Sequence, residues 1–264
     1  MIGKLFWALF RKRLPMGLGL REIPSDCLFT DPFVLLSKML GDISEESKDT
    51  ITTEFESLSE DVSRRYALRK LTFPEYYKVG DSSSLLIYAL IRLLEPRTVL
   101  ETGVANGHST YYILNALSKN GKGELWSTDI DLDVGGLFDR EEEICKRWHF
   151  ELIDERNSIS SFRNVLNKMS KIDLFIHDSG DHNYKLQWSE YHSVLQSMAD
   201  DSLLASDDVN NSYAFIDFVH QMNADGAYLL DIGKTREPAK LFGLIRLHNE
   251  RNTKKDRLVD VDRI

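Results

Sequence analysis

The chain has 264 residues, 42% hydrophobic and 28% charged, with a formal net charge of −9. That length suits one well-buried α/β core with an appended helical piece, and the acidic balance argues against a nucleic-acid partner, which would need a clustered basic face. Cys27 and Cys145 are the only cysteines, too few for a disulfide framework, and no apolar run approaches the roughly 20 residues that span a bilayer, so the expected compartment is the cytoplasm.

The first 22 residues depart from this average. Leu5-Phe6-Trp7-Ala8-Leu9-Phe10 precedes Arg11-Lys12-Arg13, and residues 1–22 carry a net charge of +4. The basic cluster follows the apolar stretch and no small-residue cleavage site follows it, which is the wrong order for a cleaved signal. Two readings stand. Residues 4–13 form a short basic helix lying on an anionic membrane surface or meeting a lipid-linked substrate, or Phe6, Trp7 and Phe10 pack on the protein's own core or on a second subunit of a homo-oligomer.

Residues 26–70 read as helical and polar, with Phe33, Leu35, Leu36, Met39 and Leu40, then Ile51, Phe55 and Leu58, at periodic positions. The stretch 44–63, rich in acids and hydroxyls, reads as a solvated face or a loop. Ser82-Ser83-Ser84 is expected to cap an apolar helix over Leu85–Leu94, which Pro96 ends. Strands and helices then alternate, the pattern of a parallel sheet covered on both faces. Strands are expected at Thr98–Thr102, Glu124–Asp129, Phe150–Asp154, Leu174–His177 and Ser202–Ser206, and helices at 110–119, 139–147, 159–169, 185–199 and 212–223. Ala227–Ile232 and Phe242–Leu247 have no long helix between them and should form an antiparallel pair at the sheet edge. The expected division is a helical extension over 1–79, the α/β domain over 80–248 and a polar tail over 249–264.

The most informative segment is Val99-Leu100-Glu101-Thr102-Gly103-Val104-Ala105-Asn106-Gly107-His108-Ser109-Thr110. It reads as a buried strand, a turn of small residues and a helix start. Gly103, Ala105 and Gly107 keep side chains out of the turn, and the helix presents free N–H groups beside it. The pattern E-x-G-x-A-x-G misses the dinucleotide fingerprint, and no phosphate loop occurs in the chain.

In an open α/β sheet ligands bind beyond the carboxyl ends of the strands. His177, Asp178, Asp181 and His182 follow the fourth strand, and Asp207 and Asp208 the fifth. Repulsion among Asp178, Asp207 and Asp208 would be costly, and a hard divalent cation would remove that cost. An imidazole near neutral pKa suits His182 as a general base, with Asp181 the alternative. Tyr184 and Trp188 read either as acceptor-pocket walls or as packing groups, and Arg140-Glu141-Glu142-Glu143 as a solvated helix face.

The glycine turn, with the strand Glu124–Asp129 at the proper distance behind it, resembles motif I of the class I S-adenosylmethionine-dependent methyltransferases over about residues 80–248. The resemblance implies a Rossmann-like sheet of five parallel strands plus an antiparallel edge pair, with helices on both faces and an N-terminal helical extension. It implies that Glu101 is the motif acid, that Gly103, Ala105 and Gly107 lie under the methionyl part of the cofactor, and that Asp129, with Asp131 in reserve, takes the ribose. Asn157, with Ser158, stands where the family contacts the adenine, and equally reads as a helix cap; Asp178 is counted with the cofactor residues too. The strand ends resemble the catechol-type and sugar-type metal-dependent O-methyltransferases, which implies Mg²⁺ or Mn²⁺ held by Asp178, Asp207 and Asp208. Here His-Asp-Ser-Gly-Asp-His-Asn-Tyr is one residue longer than the family's His-Asp-Ser-x-His-x-Tyr, which leaves the base as Asp181 or His182. The expected activity is methyl transfer to a hydroxyl of a sugar or other vicinal diol, on a small-molecule or glycan acceptor. The rivals are a catalytically silent cofactor-binding scaffold and a membrane-associated interaction protein.

Overall fold

The computed structural model describes residues 25–180, 183–231 and 240–247. The expectations for residues 4–13, for Asp181 and His182, and for the tail 249–264 lie outside them. Among the described residues no helix is long and apolar enough to cross a membrane.

The sheet has eight strands: β1 (Leu28–Phe29), β2 (Thr98–Thr102), β3 (Glu124–Asp129), β4 (Trp148–Leu152), β5 (Ile172–His177), β6 (Met198–Ser206), β7 (Gly226–Asp231) and β8 (Lys240–Leu247), in spatial order β1-β7-β8-β6-β5-β2-β3-β4. Strands β2 to β6 are parallel, and β8 is antiparallel to both β6 and β7. The expected five parallel strands and the antiparallel pair are both present. The two-residue β1 pairs with β7 from outside, so β7 is not the outermost strand.

Side chains alternate between two apolar layers. Val99, Leu174 and Ile176 face the helices α1 (Pro32–Leu40), α2 (Glu45–Leu68), α3 (Asp81–Leu94) and α4 (His108–Asn120). Leu100, Ile172 and Phe175 face α5 (Ser158–Leu166), α6 (Tyr184–Val194) and α7 (Ala214–Met222). With both faces covered, β2 is buried at all five of its positions, polar residues included.

Three helix starts, those of α1, α2 and α6, are capped by a local side chain. Asp31 Oδ1 accepts from the amides of Phe33 (2.8 Å) and Val34 (3.2 Å) at the start of α1, and Ser44 Oγ accepts from Ser47 N at the start of α2. The serine cap expected over 82–84 is corrected: α3 begins at Asp81 after Gly80, and Ser83 and Ser84 are buried in its first turn. The cap comes instead from the end of β7, where Asp231 Oδ2 accepts from Ser83 N (2.8 Å) and Ser83 Oγ (2.9 Å).

Three other expectations shift. No α-helix forms over 139–147; the segment holds only a 3-10 turn at Glu143–Arg147, because its acids bond to partners elsewhere. Arg65 Nη1 lies 2.7 Å from Glu142 Oε1, and Arg69 Nη2 lies 2.7 Å from Asp139 Oδ2. The third expected strand lies two residues earlier, at Trp148–Leu152, and the helix expected through 199 ends at Val194 because Met198 already pairs with Ile172 as part of β6.

The ordering β4-β3-β2 on one side and β5-β6 on the other makes the boundary between β2 and β5 the place where the chain reverses direction across the sheet. Thr102 lies opposite both Thr128 and His177, and His177 opposite Ser206, so four strand ends open on one crevice.

Candidate active site

The turn after β2 is held from below. Glu101 is fully buried, and its carboxylate accepts from Ser109 Oγ (2.6 Å), Thr110 Oγ1 (2.8 Å) and Ser127 Oγ (2.7 Å). Burial pushes its carboxyl up to about 7, although the three hydroxyl donors pull the other way. Gly103 takes φ +82°, and a Cβ there would stand 1.9 Å from the carbonyl oxygen of Asp178, so the ends of β2 and β5 touch backbone to backbone. A Cβ on Gly107 (φ +85°) would meet the Phe138 ring at 2.6 Å.

From the side, Asp129 Oδ2 accepts from the amides of Val104 (2.7 Å) and Ala105 (3.1 Å), while Oδ1 accepts from Asp131 N (3.1 Å). One acid thus fixes both the turn and the residues after β3.

A cavity of about 1170 Å³ opens over these strand ends. Single small-ligand pockets run roughly 300–1,000 Å³, so this one stands just past the large end of that range. Of the expected residues, Gly103, Ala105, Asp129, Asp131, Asp178 and Asp208 line it. Glu101 and Gly107 do not, since one lies beneath the turn and the other packs on Phe138. Asn157 does not either, since its side chain donates to Asp154 Oδ2 (3.0 Å), but its expected neighbour Ser158 does line the cavity, together with Glu155. Tyr184 and Trp188 are also absent from its wall; they stack on each other with centroids 5.6 Å apart, and the Tyr184 hydroxyl donates to Asp217.

Several lining groups were not anticipated. Tyr66, near the end of α2, and Phe73, Tyr76 and Tyr77, from the segment between α2 and α3, form an aromatic wall. Asn106 ties that wall to the glycine turn, accepting from Phe73 N (3.1 Å) and donating to Phe73 O (2.7 Å). His108 also lines the cavity; burial, then the Lys78 charge, lowers its pKa to about 3, and its Nδ1 has no hydrogen-bond partner among the described residues. Glu190 reaches the cavity while bonded to the buried His177 (2.7 Å) and to Ser179 Oγ (3.0 Å), which braces the loop carrying Asp178.

The acidic cluster differs from a metal donor set. Asp207 is 1% exposed and does not line the cavity. Lys240 Nζ lies 3.8 Å from Asp207 Oδ2 and 3.4 Å from Asp208 Oδ2. Burial, then the Asp208 charge, pushes Asp207 up to about 8; burial followed by the charges of Asp207 and Asp208 raises Asp178. Among the described residues no three of His, Cys, Asp and Glu form a group able to hold a metal ion. The expectation that Asp178, Asp207 and Asp208 form one is corrected: they feel each other's charge, but an ammonium stands against two of them.

A cradle of small residues fits the methionyl arm of a cofactor, Asp129 and Asp131 beside it fit hydroxyls, and the orphaned His108 Nδ1 shows polar capacity left for a ligand. Turn, strand-end acids and strand order together define the class I methyltransferase fold. Residues 100–209 match the family model described as a methyltransferase domain. Among solved structures, the fold is similar to a putative O-methyltransferase from Klebsiella pneumoniae (TM-score 0.52, 16% identity, covering 82% of this chain and 96% of that one). It is similar to an O-methyltransferase from Bacillus cereus in complex with SAH (0.52, 13% identity, 81% and 96%). A third is the O-methyltransferase TomG from Streptomyces achromogenes, involved in tomaymycin synthesis, in complex with SAM (0.52, 15% identity, 82% and 95%). At these identities the likeness is one of fold. No curated protein matches the chain significantly.

Proposed function

We propose that this chain transfers the methyl group of S-adenosylmethionine to a hydroxyl oxygen of a sugar or related polyol, either a small molecule or a glycan. The observation that carries the reading is a single large cavity walled both by the glycine turn with Asp129 and by the polar groups Asp178, Asp208 and Lys240. Gly103 and Ala105 would lie under the methionyl arm, Asp129 or Asp131 would accept from the ribose hydroxyls, and Ser158 would stand near the adenine. The cofactor supplies a sulfonium-bound methyl group that an acceptor oxygen displaces in line, leaving S-adenosylhomocysteine. The chain's own work is to orient the hydroxyl and take its proton. His182, or Asp181 in its place, is the proposed proton acceptor. Assistance by Mg²⁺ or Mn²⁺ does not fit the donor set, in which Lys240 stands against Asp207 and Asp208.

Calorimetry with S-adenosylhomocysteine tests the cofactor assignment. Asp129→Asn keeps an oxygen for the turn amides but loses the charge, and should weaken binding by ~1.5–3 kcal/mol, about 10- to 150-fold. Unchanged affinity, or no binding by the unaltered chain, would remove the assignment. His182→Ala should leave that affinity intact and slow S-adenosylhomocysteine formation on a panel of sugars and diols by roughly 10²–10⁴-fold. If Asp181→Ala alone produces that loss, the base is Asp181.

A further inference from the structure

Lys240 opens β8, and two backbone contacts fix where it stands. Val209 N donates to Leu241 O (3.0 Å), and Leu241 N donates to the Asn210 side chain (2.9 Å). The antiparallel pairing of β6 with β8, which sets Ser206 opposite Gly243, therefore delivers Lys240 to the turn carrying Asp207 and Asp208. Its side chain is 27% exposed and lines the cavity, with the ammonium within 4 Å of both carboxylates. Asp178, on the other side of β6, reaches the same cavity and feels the Lys240 charge.

We propose that the Lys240 ammonium is the cation of this acidic cluster, standing where a metal-dependent enzyme would hold a divalent ion, so that the chain positions its acceptor without Mg²⁺ or Mn²⁺. Mg²⁺ demands oxygen ligands at about 2.0–2.1 Å in near-octahedral array. Asp207 and Asp208 cannot offer it that array while Lys240 stands against their Oδ2 atoms, and two cations sharing the space would repel. An ammonium is a compact charge with three donors, able to hold a single acceptor oxygen and to favour its anionic form. It does not chelate. Two adjacent oxygens, which a metal would select, are then not required, and the acceptor class widens from vicinal diols to single hydroxyls beside a polar group. This last step rests on the methyl-transfer reading; the cation assignment does not.

The test uses Mn²⁺ alone, titrated into the full chain and followed by the electron paramagnetic resonance of the free ion. Lys240→Met should take up one equivalent more than the unaltered chain, and adding Asp207→Asn to that variant should remove the extra equivalent. Equal or smaller uptake by Lys240→Met, or an extra equivalent that survives Asp207→Asn, overturns the proposal. Should Lys240→Met fail to fold by circular dichroism, Lys240→Gln, which keeps a polar end group, carries the same comparison. The unaltered chain must in addition keep its S-adenosylhomocysteine affinity through dialysis against a chelator. Binding that is absent before dialysis counts against the methyl-transfer reading and leaves the Mn²⁺ comparison standing; affinity lost to the chelator and restored by Mn²⁺ counts against the cation assignment.

Discussion

Gly103→Ala is expected to destabilise the protein by about 2–5 kcal/mol and to abolish measurable S-adenosylhomocysteine binding. Two costs combine. The left-handed backbone at φ +82° penalises any Cβ, and the added atom would stand 1.9 Å from the carbonyl oxygen of Asp178, a backbone atom with little room to yield. The ends of β2 and β5 must then part, although Asp178 N donates to Thr102 O at 2.9 Å. Gly121→Ala separates the two costs, because that glycine has φ +69° with nothing within 4 Å of a built Cβ. It should lose only the conformational part, about 1–2 kcal/mol, and bind the ligand normally. Urea unfolding of both variants with calorimetry on each is the check. Equal losses would mean that the two strand ends separate freely and that the turn is not held by their contact.

The elements legible in the sequence are those whose signals are local. The bounds of β2 and β3 follow from the apolar pairs Val99-Leu100 and Leu125-Trp126 flanked by Pro96 and by the turns at Gly103 and Gly123, and they match to the residue. Strand β4 is half-buried along its length and pairs on one side only, so its apolar pattern is weak and its expected position slips by two residues. The acidic run at 139–143 has helical composition, yet Asp139 and Glu142 bond to Arg69 and Arg65 across more than sixty positions of sequence, which no window over the run contains. The site divides the same way. Gly103, Ala105, Asp129, Asp178 and Asp208 stand at strand ends and were readable as such. Lys240 arrives through the pairing of β6 with β8, and the aromatic wall through the clamp between Phe73 and Asn106; both depend on contacts between distant segments. Glu101 was legible as an important acid but not as a buried one, because its three hydroxyl partners come from α4 and from β3.

Glu101→Gln is accordingly expected to change how stability depends on pH. Burial raises the carboxyl from the ordinary 4.5 to about 7, so the folded protein holds a proton there that the unfolded chain releases. The stability linked to that proton is fully present below pH 4.5 and is lost as pH rises through about 7. The difference amounts to about 3 kcal/mol between those limits. Glutamine has nearly the same shape, carries no charge at any pH, and keeps one oxygen to accept from the hydroxyls of Ser109, Thr110 or Ser127. The variant should therefore match or fall slightly below the unaltered chain at pH 5 and exceed it by ~2–3 kcal/mol at pH 8. Urea unfolding at both values measures this, and the contributions of Asp178 and Asp207, present in both proteins, largely cancel in the difference. Parallel pH profiles would mean that the three hydroxyls repay the whole cost of ionising a fully buried acid. The turn that carries Gly103 would then rest on a permanent negative charge. An advantage of the variant that grows with pH would instead show that the turn rests on a carboxyl whose proton leaves near neutral pH, which makes the stiffness of the cofactor cradle itself sensitive to pH.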